Sequence, residues 1–237
     1  MMSQTAGEVA LVTGATRGLG LEIARRLAER GITVWLTGRD LDAAIAASEA
    51  GASDGQLLPA QVDVRDQRSI DAAVTAVEAE CGRLDVLVNN AGIALDRDND
   101  VLSPDLGVVH ETLETNALGA WRMTLACLPL LRSSARPRVV NVSSFLASLG
   151  TIGSHHWPAY RLSKVSLNAL TAMFAVALSD EGIRVNAACP GWTRTEMGGD
   201  GAPRSVAEGA DTPVWLALME DGGGTGRFYA DRRPLAW

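Results

Sequence analysis

Short runs that are apolar on both faces alternate with longer segments of helical period along nearly all of the 237 residues, and few architectures accept that alternation. The strand candidates are VALVT (9–13), TVWLT (33–37), QLLPAQV (56–62), DVLVN (85–89), RVVNVS (138–143), RVNAAC (184–189) and a weaker GRFYA (226–230). A strand with two apolar faces must be covered on both sides, which is the condition of a strand inside a parallel sheet flanked by helices. The helical stretches 19–30, 41–50, 66–80, 105–132, 158–180 and 205–219 supply that cover. The pattern predicts an α/β fold, a doubly wound parallel sheet of about seven strands with right-handed crossovers. A chain of this length is expected to form a single domain, 1–237, rather than two of ordinary size. Its least regular segments, 92–105 and 193–205, follow strands, at the sheet edge where ligands bind in this architecture.

The same sequence narrows the class of partner. A net charge of −7 without a basic stripe gives no footprint for nucleic acid. No apolar run approaches the roughly 20 residues that cross a bilayer. MMSQTAGEVALV has no basic segment ahead of an apolar one, so no signal peptide is expected and the default location is the cytoplasm. Cys81, Cys127 and Cys189 are odd in number, far apart and without a CxxC pair, which argues against both a disulfide framework and a metal site. They read as small core residues, and the expected partner is a small molecule.

TGATRGLG, Thr13 to Gly20, stands at the junction of the first strand and the first helix. Glycines there let the backbone approach a ligand, and a helix N-terminus offers unpaired N–H groups and a positive dipole end to an anion such as phosphate. The spacing is neither GxxxxGK[ST] nor GxGxxG, and a packing turn without a ligand is the lesser alternative for such a triplet alone.

Further motifs follow in order. NNAG (Asn89–Gly92) closes the fourth strand and NVSS (Asn141–Ser144) the fifth; then come Tyr160-x-x-x-Lys164 and PGWTRT (Pro190–Thr195). With TGATRGLG, this set resembles the short-chain dehydrogenase/reductase family over residues 13–195, and the tail TGRFYADRRPLAW is similar to the end of a carbonyl-reductase-type member. The resemblance implies a Rossmann-type fold, an oxidoreductase and a dinucleotide cofactor, with no metal. It implies Asn116, Ser144, Tyr160 and Lys164 as the catalytic set. At the nucleotide it implies Gly14, Thr16, Arg17, Gly18, Leu19 and Gly20 of the first loop, with Arg39, Asp63, Val64, Asn90, Ala91 and Gly92. Pro190, Gly191, Trp192, Thr193 and Thr195 would lie beside the nicotinamide, and Tyr160 and Lys164 would touch the cofactor as well.

The residue types suit that chemistry. Tyr160 and Lys164, four apart, share one helix face. A phenol with a pKa near 10 is a poor acid–base group at neutral pH, and a nearby ammonium lowers that pKa. Tyr160 could then exchange a proton with a substrate oxygen while a hydride moves between substrate and nicotinamide, with Lys164 also holding the nicotinamide ribose. Ser144, just past its strand, can donate to an oxygen on which negative charge develops; Ser143 is its rival, and the resemblance favours the second serine. Tyr160 lies sixteen positions beyond Ser144, more than is usual in the family. The extra residues fall in FLASLGTIGSHHWP, making His155, His156 and Trp157 candidates for substrate contact. Asn116, in ETNALGA, resembles the family's asparagine that supports a water chain from Lys164, and an Asn inside a helix predicts a kink or a polar task. Gly92 would be glycine because a side chain would strike the cofactor.

Cofactor preference is read from VWLTGRD. The family's acidic position for the adenosine ribose falls on Gly38, followed by Arg39, with Arg17 nearby; two cations and no carboxylate there favour NADP(H) over NAD(H). Asp40 leaves an NAD reading open if the register shifts by one. The expectation is an NADPH-dependent oxidoreductase reducing a ketone or aldehyde, with an NAD-linked secondary alcohol dehydrogenase and a non-catalytic dinucleotide sensor as alternatives. Substrate loops are expected at 93–105, 145–157 and 192–205, whose Trp, Phe, Leu and Met suggest an apolar carbonyl compound of moderate size. A homodimer or homotetramer would pair the helices around 105–132 and 158–180.

Overall fold

Val9–Val12 (β1), Thr33–Gly38 (β2), Leu57–Gln61 (β3), Val86–Asn89 (β4), Arg138–Val142 (β5), Arg184–Cys189 (β6), Phe228–Ala230 (β7) and Arg233–Leu235 (β8) are the strands of a computed structural model that describes residues 7–51, 56–97, 99–220 and 223–237. They form one sheet in the order β3-β2-β1-β4-β5-β6-β7-β8. All neighbours from β3 to β7 pair in parallel, and β8 is antiparallel to β7. The helices are Gly18–Ala28 (α1), Leu41–Ala50 (α2), Gln67–Cys81 (α3), Leu106–Leu113 (α4), Gly119–Arg132 (α5), Pro158–Ala177 (α6) and Val206–Ala217 (α7).

The double-faced apolar runs behave as their composition dictates. Ala10 and Val12 of β1 join Val88 and Val140 in one core, against Ile23 and Leu27 of α1 and Val214 of α7. The alternate residues Val9 and Leu11 join Leu87, Val139 and Val185 in a second core, against Ile70 and Val77 of α3 and Met123 of α5. Each fully buried aliphatic side chain contributes about 1.5–3 kcal/mol by leaving water, so both faces of the sheet carry the fold.

The strand order positions the site. From β1 the chain moves outward to β2 and β3, then returns to β4 on the other side of β1, with Val12 in register with Val88. The loops leaving β1 and β4 therefore diverge at a topological switch point, where an open α/β sheet presents a crevice beyond its strand ends.

Two features depart from the sequence reading. The 105–132 helix contains a π-helical turn at Glu114–Leu118, which holds Asn116 and separates α4 from α5; π-turns of this kind mark places where the helical ladder yields to a side-chain demand. The expected seven strands are eight, because Arg233–Leu235 turns back on Phe228–Ala230 through Asp231 and Arg232, whose φ values are +50° and +59°. A two-residue hairpin turn with both central residues left-handed ordinarily takes Asn or Gly. Here α7 holds it instead: Thr212 Oγ1 accepts the Arg232 amide at 3.2 Å and the Arg232 guanidinium pairs with Asp211, while Asp231 pairs with Arg204. Cys127 and Cys189 are buried and Cys81 half-buried, all with free thiols. Among the described residues no helix is long and apolar enough to cross a membrane.

Candidate active site

The crevice is stitched together by Thr13. Its amide donates to Val88 O at 3.0 Å, and its hydroxyl accepts the amides of Asn90 and Ala91, each at 3.0 Å. The Asn90 amide group returns the contact by donating to the carbonyls of Thr13 (2.9 Å) and Gly14 (3.0 Å). Gly14 has φ +62°, and a Cβ there would stand 2.9 Å from Ala91 Cα; one on Gly20 would stand 2.4 Å from Asn90 Nδ2. These glycines answer first to the contact between the two loops, a reason separate from the close approach of a ligand expected from the sequence. Beyond them α1 begins without a side-chain cap at Arg17, whereas α2, α3, α4 and α7 are capped by Asp40, Asp66, Asp105 and Ser205. The first-turn amides of α1 thus remain for an anion.

One cavity of about 1130 Å³ extends from this loop across the strand ends, and every catalytic or cofactor residue named from the sequence lines it except Asn116. At its nucleotide-loop end a Cβ on Gly38 would lie 2.4 Å from Thr16 Cγ2, so a side chain at the position that would carry an acid would have to displace the Thr16 methyl. Asp40 is engaged elsewhere, its Oδ1 accepting the Ala43 amide at 3.2 Å as the cap of α2. Arg39 lines the cavity and forms no ion pair with any described carboxylate. Arg17 is held at 2.8 Å by Glu196, an exposed pair of the kind worth at most about 1 kcal/mol. Burial works against ionised Asp63, yet hydrogen bonds and the charge of Arg65 keep its carboxyl below the ordinary value. Val64, Leu19 and Ala91 complete the apolar wall, and the Thr193 hydroxyl turns away to the carbonyls of Pro190 and Gly191.

At the other end α6 brings up Tyr160 and Lys164. The Ser144 hydroxyl accepts the Leu146 amide at 3.2 Å and stands close enough to the Tyr160 phenol to oppose the effect of burial on it. Ser143 points the other way, its Oγ donating to Asn168 Oδ1 at 2.7 Å inside the protein, which leaves Ser144 as the serine that meets Tyr160. Lys164 Nζ donates to Val142 O at 2.8 Å and lies 5.7 Å from the Tyr160 ring centroid. The expected depression of the phenol's pKa is absent. Burial pushes Tyr160 up to about 12, opposed by Ser144, and burial pushes Lys164 down to about 8; the Lys164 ammonium lies over the ring face and donates to the Val142 carbonyl.

Asn116 stands behind these groups. Its Oδ1 accepts the Ile93 amide and its Nδ2 donates to Ile93 O, both at 2.8 Å, and to Ser163 Oγ at 2.9 Å. The polar task expected of a helical Asn is thus the bracing of the strand-end loop against α6. A Cβ on Gly92 would lie 3.2 Å from Asn116 Oδ1 and 3.5 Å from Lys164 Nζ, so the missing side chain makes room for protein groups as well.

The loops above Tyr160 are tied to one another. The Trp157 amide donates to Asn99 O and the Val101 amide to His155 O, and Arg97 donates to Met197 O at 2.7 Å while lying 5.2 Å from the Trp157 ring. Trp157 itself has φ +62° and meets Tyr160 edge-on at 6.0 Å. His156 and Trp157 line the cavity; His155 does not, its ring packing on His156 at 4.1 Å. The sequence reading missed Asp96, 1% exposed, whose Oδ2 accepts the amides of Ala159 (2.6 Å) and Tyr160 (3.3 Å), and it missed the hub role of Thr13. Only Trp157-Pro158, a helix start without a local capping side chain, signalled that a cap was to come from elsewhere.

Comparison with known proteins bears on this geometry. A family model described as short chain dehydrogenase matches residues 8–204. Carbonyl reductase [NADPH] 1 of Bos taurus is 36% identical over 276 residues, covering 97% of this chain and 98% of that protein. (−)-Isopiperitenone reductase of Mentha piperita is 33% identical over 307 residues, covering 96% of this chain and 97% of that protein. The structure of NADPH-bound carbonyl reductase from chicken fatty liver superposes with a TM-score of 0.87 at 28% identity, over 98% of this chain and 99% of that one.

Proposed function

The chain belongs to the short chain dehydrogenase family and is an oxidoreductase of that type, and from this premise we propose that it reduces a ketone or aldehyde with NADPH, using Tyr160 as proton donor. The observation that carries the reading is the meeting of Ser144, Tyr160 and Lys164 at the wall of the large cavity, with Lys164 Nζ 5.7 Å from the Tyr160 ring centroid.

The other end of the cavity suits a phosphorylated dinucleotide. The uncapped start of α1 would hold a pyrophosphate through the amides of Gly18, Leu19 and Gly20, and Arg39 would take the 2′-phosphate. With glycine at position 38 and Asp40 capping α2, neither offers a carboxylate to accept from a free ribose. The NADPH in the printed names of the Bos taurus enzyme and the chicken structure supports the same preference. Asp63, Val64, Asn90, Ala91 and Gly92 would flank the adenosine half, and Pro190 to Thr195 the nicotinamide half.

Such a cofactor supplies the hydride; the protein handles the proton and the oxygen. Tyr160, kept protonated by burial, carries the proton that would pass to the substrate oxygen as negative charge develops there. Ser144 donates to the same oxygen as its charge grows, the role of a preorganised hydrogen-bond donor. Lys164, fixed by Val142 O, offers its charge behind the ring and would bind the ribose. The loops 93–105, 145–157 and 192–205 would enclose the substrate and exclude water, within a single domain spanning 1–237.

The test is the initial rate of NADPH and NADH oxidation against aliphatic, aromatic and steroid-like ketones, aldehydes and quinones. Turnover faster with NADPH, and lost in Tyr160→Phe while NADPH still binds, is the expected result. Tyr160→Phe that retains its activity would remove the proton donor, and nucleotide binding without turnover of any carbonyl compound would favour the sensor reading.

A further inference from the structure

The charge inside the cavity runs against the charge of the chain. The protein carries −7, yet six of the cavity's lining side chains are cations and three are carboxylates. The three carboxylates are all committed to arginines: Asp63 and Glu111 to Arg65, and Glu196 to Arg17. Arg39 stands at the nucleotide end and Lys164 beneath Tyr160. That leaves Arg97 and Arg161, both beside the segment that carries His156 and Trp157.

These two arginines are held in place by backbone carbonyls and, among the described residues, form no ion pair. Arg97 donates to Met197 O at 2.7 Å and lies over the Trp157 ring. Arg161 donates through Nε to His156 O at 2.8 Å, with a longer contact from Nη1 to Leu146 O at 3.5 Å. Every one of these acceptors is a backbone carbonyl. Among the described residues neither guanidinium has a carboxylate within ion-pair distance. A guanidinium has five donors, and those left over form a fork that matches a carboxylate.

Position adds to the argument. Arg161 directly follows Tyr160 on α6, while Arg97 reaches in from the loop after β4, and both line the same cavity wall as Trp157. The two come from different elements and reach the same segment, Arg97 at the Trp157 ring and Arg161 at the His156 carbonyl. Arg97 is exposed and Arg161 half-buried, and two cations lining one concave cleft focus their field on an anion entering it more than the same pair on an open surface would.

We propose that Arg97 and Arg161 select a carbonyl substrate bearing a carboxylate at the end remote from the reacting carbonyl, that is, an oxo acid. This rests on the reductase reading above and replaces the purely apolar compound suggested by the loop composition: Trp157, Phe145 and Leu146 would cover the body of the molecule and the arginines its charged end.

The test uses the whole protein with NADPH and a matched pair, benzoylpropionate and its methyl ester, which differ only in the charge. The expected result is a kcat/KM about tenfold or more higher for the acid, carried by KM and reduced by added salt, since a charged hydrogen bond commonly changes affinity by that factor or more. Arg97→Gln and Arg161→Gln keep a donor for the Met197 and His156 carbonyls and lose the charge; each should cut the acid-to-ester ratio about tenfold. Arg97→Lys should keep part of it. An ester used as well as the acid, or variants that leave the ratio unchanged, would overturn the proposal. Binding of both compounds to the protein–NADPH complex is measured separately by titration. Acid-selective binding without turnover would support the arginine site and overturn the reductase reading, whereas equal binding of acid and ester, or binding of neither, would overturn the arginine site.

Discussion

The Asp96 carboxylate accepts the Ala159 amide at 2.6 Å, so the helix that carries Tyr160 and Lys164 is capped from a loop 63 residues earlier in the chain. The residue at the helix's own N-cap position, Trp157, makes no side-chain capping bond. Asp96→Ala would leave two amides at this helix end without their acceptor. It should lower stability by about 1–3 kcal/mol and lower kcat as well, because Tyr160 loses its anchored height. Asp96→Asn keeps an acceptor oxygen and should restore most of the stability. Urea unfolding of the three proteins checks this; an Ala variant as stable as the parent would show the cap to be redundant.

The adjacent serines should separate by phenotype. Ser144→Ala removes the partner of Tyr160 and should lower kcat about 10²–10³-fold, the usual cost of losing a donor to a developing oxyanion, with little change in unfolding. Ser143→Ala removes the donor to Asn168, whose Nδ2 already lacks a partner among the described residues, and should cost about 1–3 kcal/mol of stability. Rates and unfolding curves measured on both variants decide it, and an exchange of the two phenotypes would mean that the serines had been assigned the wrong way round.

Lys164 should leave its mark on the pH dependence of stability. Burial moves it from 10.5 to about 8, so between those values the unfolded chain holds a proton that the folded protein has released. This group's contribution to stability therefore rises with pH from about 8 to 10.5, and below about 8 it is unfavourable by on the order of 3 kcal/mol. Lys164→Met removes that slope. The lost bond to Val142 O shifts the variant's absolute stability, but the difference between parent and variant should still move in the parent's favour across this window. A constant difference from neutral pH to the top of the window would contradict the buried ammonium.

Replacing Arg39 by Asp puts a carboxylate where the 2′-phosphate is proposed to lie. The ratio of kcat/KM for NADPH to that for NADH should fall at least about tenfold, since a charged hydrogen bond is exchanged for a repulsion. If the ratio is unmoved while Arg17→Ala changes it, the phosphate is read from the glycine loop instead.

Much of this site was legible before any coordinates because its logic is local. The strands up to β6 announced themselves through residues apolar on both faces, which only a covered parallel sheet accommodates. Tyr160 and Lys164 could be placed together because a spacing of four puts two side chains on one helix face regardless of surroundings. Asp40 was undecided from the sequence, since a one-residue shift of register alters its direction; the bond to the Ala43 amide resolves it.

What was not legible depends on contacts between distant segments. β8 forms because Asp211, Thr212 and Arg204 hold two non-glycine residues in left-handed conformations, a tertiary demand that overrides turn preference. Asp96 became a helix cap, and Thr13 a hub, only when β4 came to lie beside β1 and its following loop met α6. The phenol of Tyr160 rises where the motif alone argued for a fall, because residue spacing specifies a neighbour but not which way its ammonium points or how much water reaches the hydroxyl. Periodicity and motif order were enough to lay out the sheet and gather the reacting groups at its switch point. Their orientations, their protonation and the cap beneath them follow from desolvation and long-range hydrogen bonds, which exist only once the chain has folded.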